Sequence, residues 1–316
     1  MARHSLVRMD PTVFQFEQIH IDVARNSTDD FNPFHDPHRW RNIRDNPFGA
    51  PIVLGFQLEF LVDFLVTRHR EETGEARLVD ERRLRFSNHE LVFAGVLRSG
   101  EPFHVDVRKT LAQTTSGGGL TNRVMVRKED GDIVLVGTQS DTAEPRFLAD
   151  TALGDLGVLD RAQDRTWVGN GRFFLKRKFV NTSNVKNFAL AALTDQHYYV
   201  DELAERVSVP PMFTASLLSC ALLEEARLEG YDFEANPLVY TSHQISIDRS
   251  LQRTLRSNDR LHLLVTGAVP AAAKKGLGHS AVAQSAYNCF GVVAANAVLF
   301  RASVQTAPLQ AILARS

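Results

Sequence analysis

The sequence predicts an α+β protein made of two similar repeats, each with one long buried helix wrapped by an antiparallel β-sheet. A length of 316 residues exceeds that of one ordinary domain and points to two. Each half contains a proline, then an apolar helical segment, then short strands. The spacing also agrees, because Pro51 and Phe86 are 35 residues apart and Pro211 and Ile247 are 36 apart. Recurrence of the same order and spacing is the mark of an internal repeat.

In the first half, a polar, turn-rich stretch over residues 26–37 precedes the helix. Residues 56–69 are apolar on every side, which predicts a buried helix. Alternating segments at 103–107, 124–126 and 133–136 predict strands, the last two joined by a hairpin at Asp130-Gly131.

Residues 146–170 have no sustained periodicity and are the best linker candidate, which gives domains at 1–150 and 151–316. The second half repeats the order, with a helix over 214–229 and strands at 243–247, 260–265 and 292–303. The expected arrangement places the two helices side by side under one continuous sheet, because fusion closes a sheet edge that would otherwise stay open.

Composition excludes several classes of function. Hydrophobic residues at 44%, charged residues at 23% and a formal net charge of −1 are typical of a globular protein with no basic surface for nucleic acid. Residues 1–10 lack the apolar core of a signal peptide, and the apolar run 290–300 is too short to span a membrane. We therefore expect a cytoplasmic protein. Cys220 and Cys289 lack metal-ligand spacing and are expected to be buried thiols, with no metal and no cofactor.

Asp30 and His35 are the residues that point to chemistry. They are five positions apart across the proline-stiffened segment Asp30-Phe31-Asn32-Pro33-Phe34-His35, which can aim both side chains into one cleft. A carboxylate and an imidazole suit the addition of water to an activated alkene near neutral pH. The helix start near Gly55 can offer backbone N–H groups to a thioester oxygen. Alternatively, Asp30 and Asn32 only cap the loop.

The pattern Asp30-x-Asn32-Pro33-x-His35, followed by the segment 51–58 with its helix-start Gly55, resembles the MaoC-like, R-specific enoyl-CoA hydratase family. The resemblance covers roughly the first 145 residues. It implies a double hot-dog fold, with Asp30 and His35 as the catalytic pair, Asn32 supporting the loop and Gly55 at the oxyanion site. It further implies a substrate that is a thioester of coenzyme A or of an acyl carrier protein.

Two positions depart from the family pattern. Asp29 stands where the family has glycine, and its charge is expected to raise the pKa of Asp30. Leu54 stands where the family has histidine. In the second half Asp195 matches Asp30, but Val200 replaces the histidine, so we assign catalysis to the first half and shaping of the acyl tunnel to the second. The side chains expected to contact substrate are Pro51, Leu54, Phe56, Asp195 and His197.

Two other functions remain open from the residues alone. A hot-dog thioesterase would place a carboxylate on the central helix, where Glu59 or Asp63 could serve. A non-catalytic acyl-binding or assembly subunit would fit the departures at Asp29 and Leu54. A homodimer of double hot-dogs is a further expectation.

Overall fold

The computed structural model describes residues 12–113, 118–149, 153–271 and 283–314. Its helices are α1 (Gln18–Thr28), α2 (Gly55–Glu72), α3 (Arg77–Glu81), α4 (Thr182–Ala191), α5 (Gln196–Tyr199), α6 (Pro211–Ser216), α7 (Leu218–Leu228), α8 (Arg249–Gln252) and α9 (Leu309–Leu313). Its strands are β1 (Val13–Gln15), β2 (Phe86–Phe93), β3 (Pro102–Val107), β4 (Leu111–Ala112), β5 (Leu120–Lys128), β6 (Ile133–Thr142), β7 (Thr166–Val168), β8 (Phe173–Phe179), β9 (Val200–Asp201), β10 (Arg206–Val207), β11 (Leu238–Asp248), β12 (Arg260–Thr266), β13 (Val269–Pro270), β14 (Ser285–Val293) and β15 (Ala297–Pro308).

One antiparallel sheet runs through both halves in the order β1-β3-β5-β6-β2-β11-β15-β14-β12-β8-β7. The halves meet where β2 pairs with β11, with His89 opposite Ile245. Read outward from this junction, the order β2-β6-β5-β3-β1 corresponds to β11-β15-β14-β12-β8, and β7 is an additional outer strand of the second half. This correspondence is the repeat that the sequence predicts. Because the inner edge of each half is paired with the other, neither half leaves that edge open for association.

The two central helices lie where the sequence predicts them. Helix α2 buries apolar side chains on all sides, which explains its lack of an amphipathic pattern: Phe56, Leu58, Phe60, Leu61, Val62 and Val66 are each at most 3% exposed. The second helix is bent at Leu217 into α6 and α7, and α6 packs against α2.

The hydrophobic core is continuous between the halves. The ring of Phe60 on α2 packs edge-on against Phe188 of α4 at 5.3 Å, and Phe188 contacts Phe213 of α6 at 5.9 Å. The buried amide of Gln57 donates to the Ala191 carbonyl oxygen at 2.8 Å. Separating the halves would therefore expose apolar surface and leave buried polar groups unpaired.

Some elements differ from the sequence prediction. Helix α1 was not predicted, and the segment 292–303, expected to be one strand, is a β14–β15 hairpin. Its turn places Ala295 and Asn296 in the left-handed region, each with φ of 56°. The proposed domain boundary at residues 150 and 151 lies outside the described residues.

None of the helices in the described ranges combines the length and the apolar character that a membrane-spanning segment needs. Nor do these ranges bring together three or more His, Cys, Asp or Glu side chains in a way that could hold a metal ion. Cys220 and Cys289 are fully buried free thiols, and burial raises the pKa of Cys220 to about 12.

Candidate active site

The loop that follows α1 is organised by its own polar side chains. Asp29 ends the helix in the left-handed conformation with φ of 56°, which explains why a glycine suits this position. Asp30 then accepts a hydrogen bond from the Asn32 N–H at 2.9 Å, and Asn32 accepts one from the Phe34 N–H at 3.1 Å. The capping role that the residue types allow is therefore present, and it holds the loop in the shape that buries both Asp30 and His35.

His35 is clamped against the segment that leads into α2. Its Nδ1 lies 2.8 Å from the Ile52 carbonyl oxygen, while the Ile52 N–H donates to the Phe34 carbonyl oxygen at 3.0 Å. A carbonyl can only accept, so Nδ1 carries the proton and Nε2 keeps a lone pair in the neutral ring. Burial lowers the pKa of His35, against the opposing effect of the nearby Asp30 charge. The imidazole is thus neutral and able to accept a proton at Nε2.

The N-terminus of α2 supplies backbone donors beside this imidazole. Among the described residues, the Gly55 N–H has no hydrogen-bond partner. A Cβ atom on Gly55 would lie 2.9 Å from the Phe93 ring and 3.6 Å from Tyr240, so only glycine fits without movement of Phe93. The helix start can therefore approach a bound group closely while both aromatic rings stay in place.

These groups open onto one cavity of about 120 Å³, which we call the Gly55 cavity. Its wall is largely apolar and takes side chains from both halves. The first half contributes Asn32, Phe34, His35, Ile52, Val53, Leu54, Gly55, Leu58, Phe93, Gly95, Val96, Leu97 and Val134, and the second half contributes Leu222, Leu223, Ala226, Phe233, Leu238, Val239, Tyr240, Tyr287 and Thr306.

Tyr240 is a polar residue of this cavity that the sequence did not identify. Burial, together with the negative charge of Asp30, raises its pKa well above the ordinary value, so the hydroxyl stays protonated. The hydroxyl oxygen lies 3.3 Å from Ser219 Oγ. Tyr240 is on β11 in the second half, which explains why the pattern around Asp30 contained no sign of it.

Four of the proposed first-half residues line the Gly55 cavity, namely Asn32, His35, Leu54 and Gly55. Asp30 is buried nearby and affects the pKa of both His35 and Tyr240. Pro51 and Phe56 were expected at the substrate, but the structure does not place them on this wall. Phe56 instead stacks on His243 with ring centres 4.6 Å apart, because its helical position turns it into the core.

Asp29, which stands where the family has glycine, has a charged partner in the second half. The Asp29 carboxylate forms an ion pair with Lys178 of β8 and its side chain is 65% exposed. The charge of Asp29 is therefore paired with a lysine and screened by water. The contact ties the motif loop to the second half.

Asp195 and His197 lie on a different cavity. It encloses about 590 Å³, and we call it the Asp63 cavity. The lining residues are Asp63, Thr67, Ser87, Gln139, Asp195, His197, Tyr198, Tyr199, Arg206, Ser208, Val209, Pro211, Arg249, Gln252 and Arg253. The part of the second half that resembles the motif thus faces its own site, while α7 and β11 complete the Gly55 cavity.

The two carboxylates of α2 have different surroundings. Glu59 is fully buried and accepts a hydrogen bond from His243 Nδ1 at 2.9 Å, so it faces neither cavity. Asp63 lies one turn further along and opens onto the Asp63 cavity. Of the two residues considered for thioester hydrolysis, only Asp63 has access to a bound molecule.

No model of a known protein family matches the sequence, and no curated protein matches it. Solved structures do match over nearly the whole chain. One, described as a MaoC-like dehydratase, is 11% identical with a TM-score of 0.56 and covers 95% of this chain and 96% of its own. A conserved hypothetical protein from Mycobacterium tuberculosis with a double hot-dog fold is 12% identical, with a TM-score of 0.54 over 95% and 97% of the two chains. A MaoC-like dehydratase from Phytophthora capsici is 11% identical, with a TM-score of 0.50 over 93% and 94%. Because the likeness covers both repeats and their shared sheet, this chain has the double hot-dog fold.

Proposed function

We propose that this protein is a MaoC-like hydratase that adds water to, or removes it from, the C2–C3 bond of an acyl thioester. The observation that carries the proposal is the meeting of His35 and the free Gly55 N–H on one apolar cavity, with Asp30 buried beside the imidazole. The acyl carrier would be coenzyme A or an acyl carrier protein, as the resemblance of the Asp30–His35 segment implies.

In the hydration direction, water is held between Asp30 and the free Nε2 of His35. The imidazole takes a proton from the water as its oxygen bonds to C3. The electrons of the double bond move toward the thioester oxygen, where the Gly55 N–H stabilises the negative charge. The imidazolium then returns a proton to C2, so that one water is consumed in total. Dehydration follows the same steps in reverse.

The second half provides the surface for the acyl chain. Leu222, Leu223 and Ala226 of α7 form an apolar wall of the Gly55 cavity. An apolar wall favours the hydrocarbon chain and keeps bulk water away from the enolate-like state, where fixed donors act most strongly. The loss of the histidine at Val200 is consistent with this supporting role.

The test is the decrease in conjugated enone absorbance when crotonyl-CoA and longer enoyl-CoAs are added. We expect hydration by the wild type and its loss in Asp30→Asn. An exposed control, Asp80→Asn on α3, should keep the activity. If enoyl-CoA binds tightly by calorimetry but is never hydrated, the non-catalytic acyl-binding function replaces this proposal.

A further inference from the structure

The Asp63 cavity occupies the place in the second repeat that the Gly55 cavity occupies in the first. Gly55 begins α2, Pro211 begins α6, and the two residues are 156 positions apart. The same separation recurs between other residues that line the two cavities. The pairs at this separation are Ile52 and Ser208, Val53 and Val209, Gly55 and Pro211, Phe93 and Arg249, Val96 and Gln252, Leu97 and Arg253, and Leu223 and Thr67.

The differences between paired residues change the chemistry of the wall in one direction. Arg249 and Arg253 take the positions at which the Gly55 cavity has Phe93 and Leu97. Three more apolar residues of the Gly55 cavity have polar partners in the Asp63 cavity, namely Ser208, Gln252 and Thr67. An acyl chain would be a poor occupant, because it would take these polar groups out of water without bonding to them. The Asp63 cavity therefore suits a polar ligand.

Two groups of the proposed hydration are absent at the paired positions of the Asp63 cavity. Pro211 stands at the position of Gly55 and has no N–H to offer to a thioester oxygen. Val200 stands at the position of His35 and cannot accept a proton. The wall can thus hold a molecule without these two means of transforming it.

Three arginines of this wall retain donors for a ligand. Each uses one of its two terminal nitrogens in a hydrogen bond to the protein: Nη2 of Arg206, Nη1 of Arg249 and Nη2 of Arg253. The acceptors, in the same order, are the His197 carbonyl oxygen at 2.6 Å, Asp141 at 3.3 Å and Asp80 at 2.9 Å. Among the described residues, the other terminal nitrogen of each arginine has no acceptor. Guanidinium groups that line one space match the several oxygens of a phosphate group.

The carboxyl groups on the described wall, those of Asp63 and Asp195, do not cancel this positive charge. Burial raises the pKa of Asp63 to about 7, so near neutral pH a bound anion can hold it in the protonated form and accept its proton in a hydrogen bond. The charged and titratable groups around Asp63 are Arg70, His89, Asp141, Tyr198, Tyr199 and Arg249. His89 adds no charge, because burial lowers its pKa to about 4.

We propose that the Asp63 cavity is a non-catalytic binding site for a small phosphorylated anion, held by the guanidinium groups of Arg206, Arg249 and Arg253. Its volume of about 590 Å³ lies within the roughly 300 to 1,000 Å³ of small-molecule sites, which leaves room for a free diphosphate or for the nucleotide end of coenzyme A. The described walls of the two cavities share no residue. The inference therefore does not rest on the proposed hydration.

The experiment is isothermal titration calorimetry of the full chain, with pyrophosphate and with adenosine 3′,5′-bisphosphate as the probes. We expect the wild type to bind at least one of them. Arg253→Leu, which introduces the residue found at Leu97, should weaken that binding by about tenfold or more through loss of a charged donor. The matched control is Arg127→Leu on β5, which also removes a half-exposed arginine paired with an aspartate and should bind like the wild type.

The two probes distinguish the sources of the phosphate. Binding of pyrophosphate would identify a free diphosphate as sufficient, and binding of the bisphosphate alone would identify the nucleotide end of coenzyme A. Succinate, which also carries two negative charges but no phosphate, should bind more weakly than the probe that binds.

Asp63→Asn tests the sign of the ligand's charge. At pH 8 this variant should bind the probe more tightly than the wild type, because it removes an ionised carboxylate and keeps the oxygen that accepts from Gln139 at 2.7 Å. Loss of binding in Asp63→Asn would overturn the inference, as would a wild type that binds neither probe. Wild-type affinity in both Arg253→Leu and Arg206→Leu would also overturn it, and Arg206→Leu alone decides if Arg253→Leu does not fold by circular dichroism.

Discussion

Replacing His35 by asparagine separates the hydrogen bond that holds this residue in place from the proton transfer proposed for its imidazole. The Nδ2 of asparagine occupies nearly the position of the histidine Nδ1, so it can keep the bond to the Ile52 carbonyl oxygen. It has no equivalent of Nε2, the atom proposed to accept the proton. His35→Ala removes both atoms, and His35→Gln keeps a polar atom near Nε2 but not the bond to Ile52.

The expected magnitudes follow from those contacts. Loss of the proton acceptor should lower the turnover of His35→Asn by roughly two to four orders of magnitude, about 3 to 5 kcal/mol of barrier. Its free energy of unfolding should stay within about 1 kcal/mol of the wild type, since the buried carbonyl keeps a donor. His35→Ala should show the same loss of turnover. Its free energy of unfolding should be about 1 to 3 kcal/mol lower than that of His35→Asn.

The assay pairs enoyl-CoA hydration rates with urea unfolding of the same samples. Adding Asp30→Asn to His35→Asn should scarcely lower the rate further, because residues that act as a unit are not additive. If His35→Asn hydrates enoyl-CoA at close to the wild-type rate, the assignment of Nε2 as the proton acceptor is refuted. If the fold-decrease in rate of the double variant equals the product of the two single fold-decreases, Asp30 and His35 act separately.

Four other predictions test the remaining structure. Because burial lowers the pKa of His35, its imidazole stays neutral as the pH falls below the ordinary imidazole range, and kcat/KM for hydration should decline only at lower pH. Asp195→Asn should hydrate crotonyl-CoA like the wild type, since Asp195 faces the Asp63 cavity. A loss of hydration activity as large as that of Asp30→Asn would show that the catalytic site is assigned to the wrong half. Leu222→Trp should shift the preferred enoyl-CoA to shorter chains in a kcat/KM series, because the larger ring fills the Gly55 cavity. His243→Ala leaves Glu59 buried without its partner and should lower the free energy of unfolding, measured with urea, by about 3 to 5 kcal/mol. A double variant, Glu59→Leu with His243→Leu, should regain most of that stability.

Local patterns predicted the parts of the fold that depend on local physics. Alternation identified β3, and the density of apolar residues identified α2 as a buried helix. The Asn32-Pro33 turn indicated a rigid loop, and the structure adds that Ile52 holds it in place. The double hot-dog fold was implied by the resemblance of the Asp30–His35 segment to the MaoC-like family, and the solved structures confirm it.

Other features could not be found in this way. Tyr240 reaches the Gly55 cavity only because β2 pairs with β11, a contact between distant parts of the chain that no local pattern encodes. The turn between β14 and β15 was missed because Ala295 and Asn296 interrupt an apolar run without glycine or proline. Phe56 was expected to contact substrate, but it stacks on His243 in the core, because the rotation of a helix turns neighbouring side chains in different directions.

Each of the two cavities is lined by side chains from both halves, and this has a consequence for how such a protein can diversify. In a symmetric dimer of single chains every substitution appears twice, so both sites change together. In this fused chain a substitution appears only once, so the central helices of the two halves can differ. Helix α2 presents the carboxyl group of Asp63 to one cavity, whereas α7 presents Leu222 and Leu223 to the other. Covalent fusion thus lets two sites of common architecture acquire different polarity while the sheet between them stays the same.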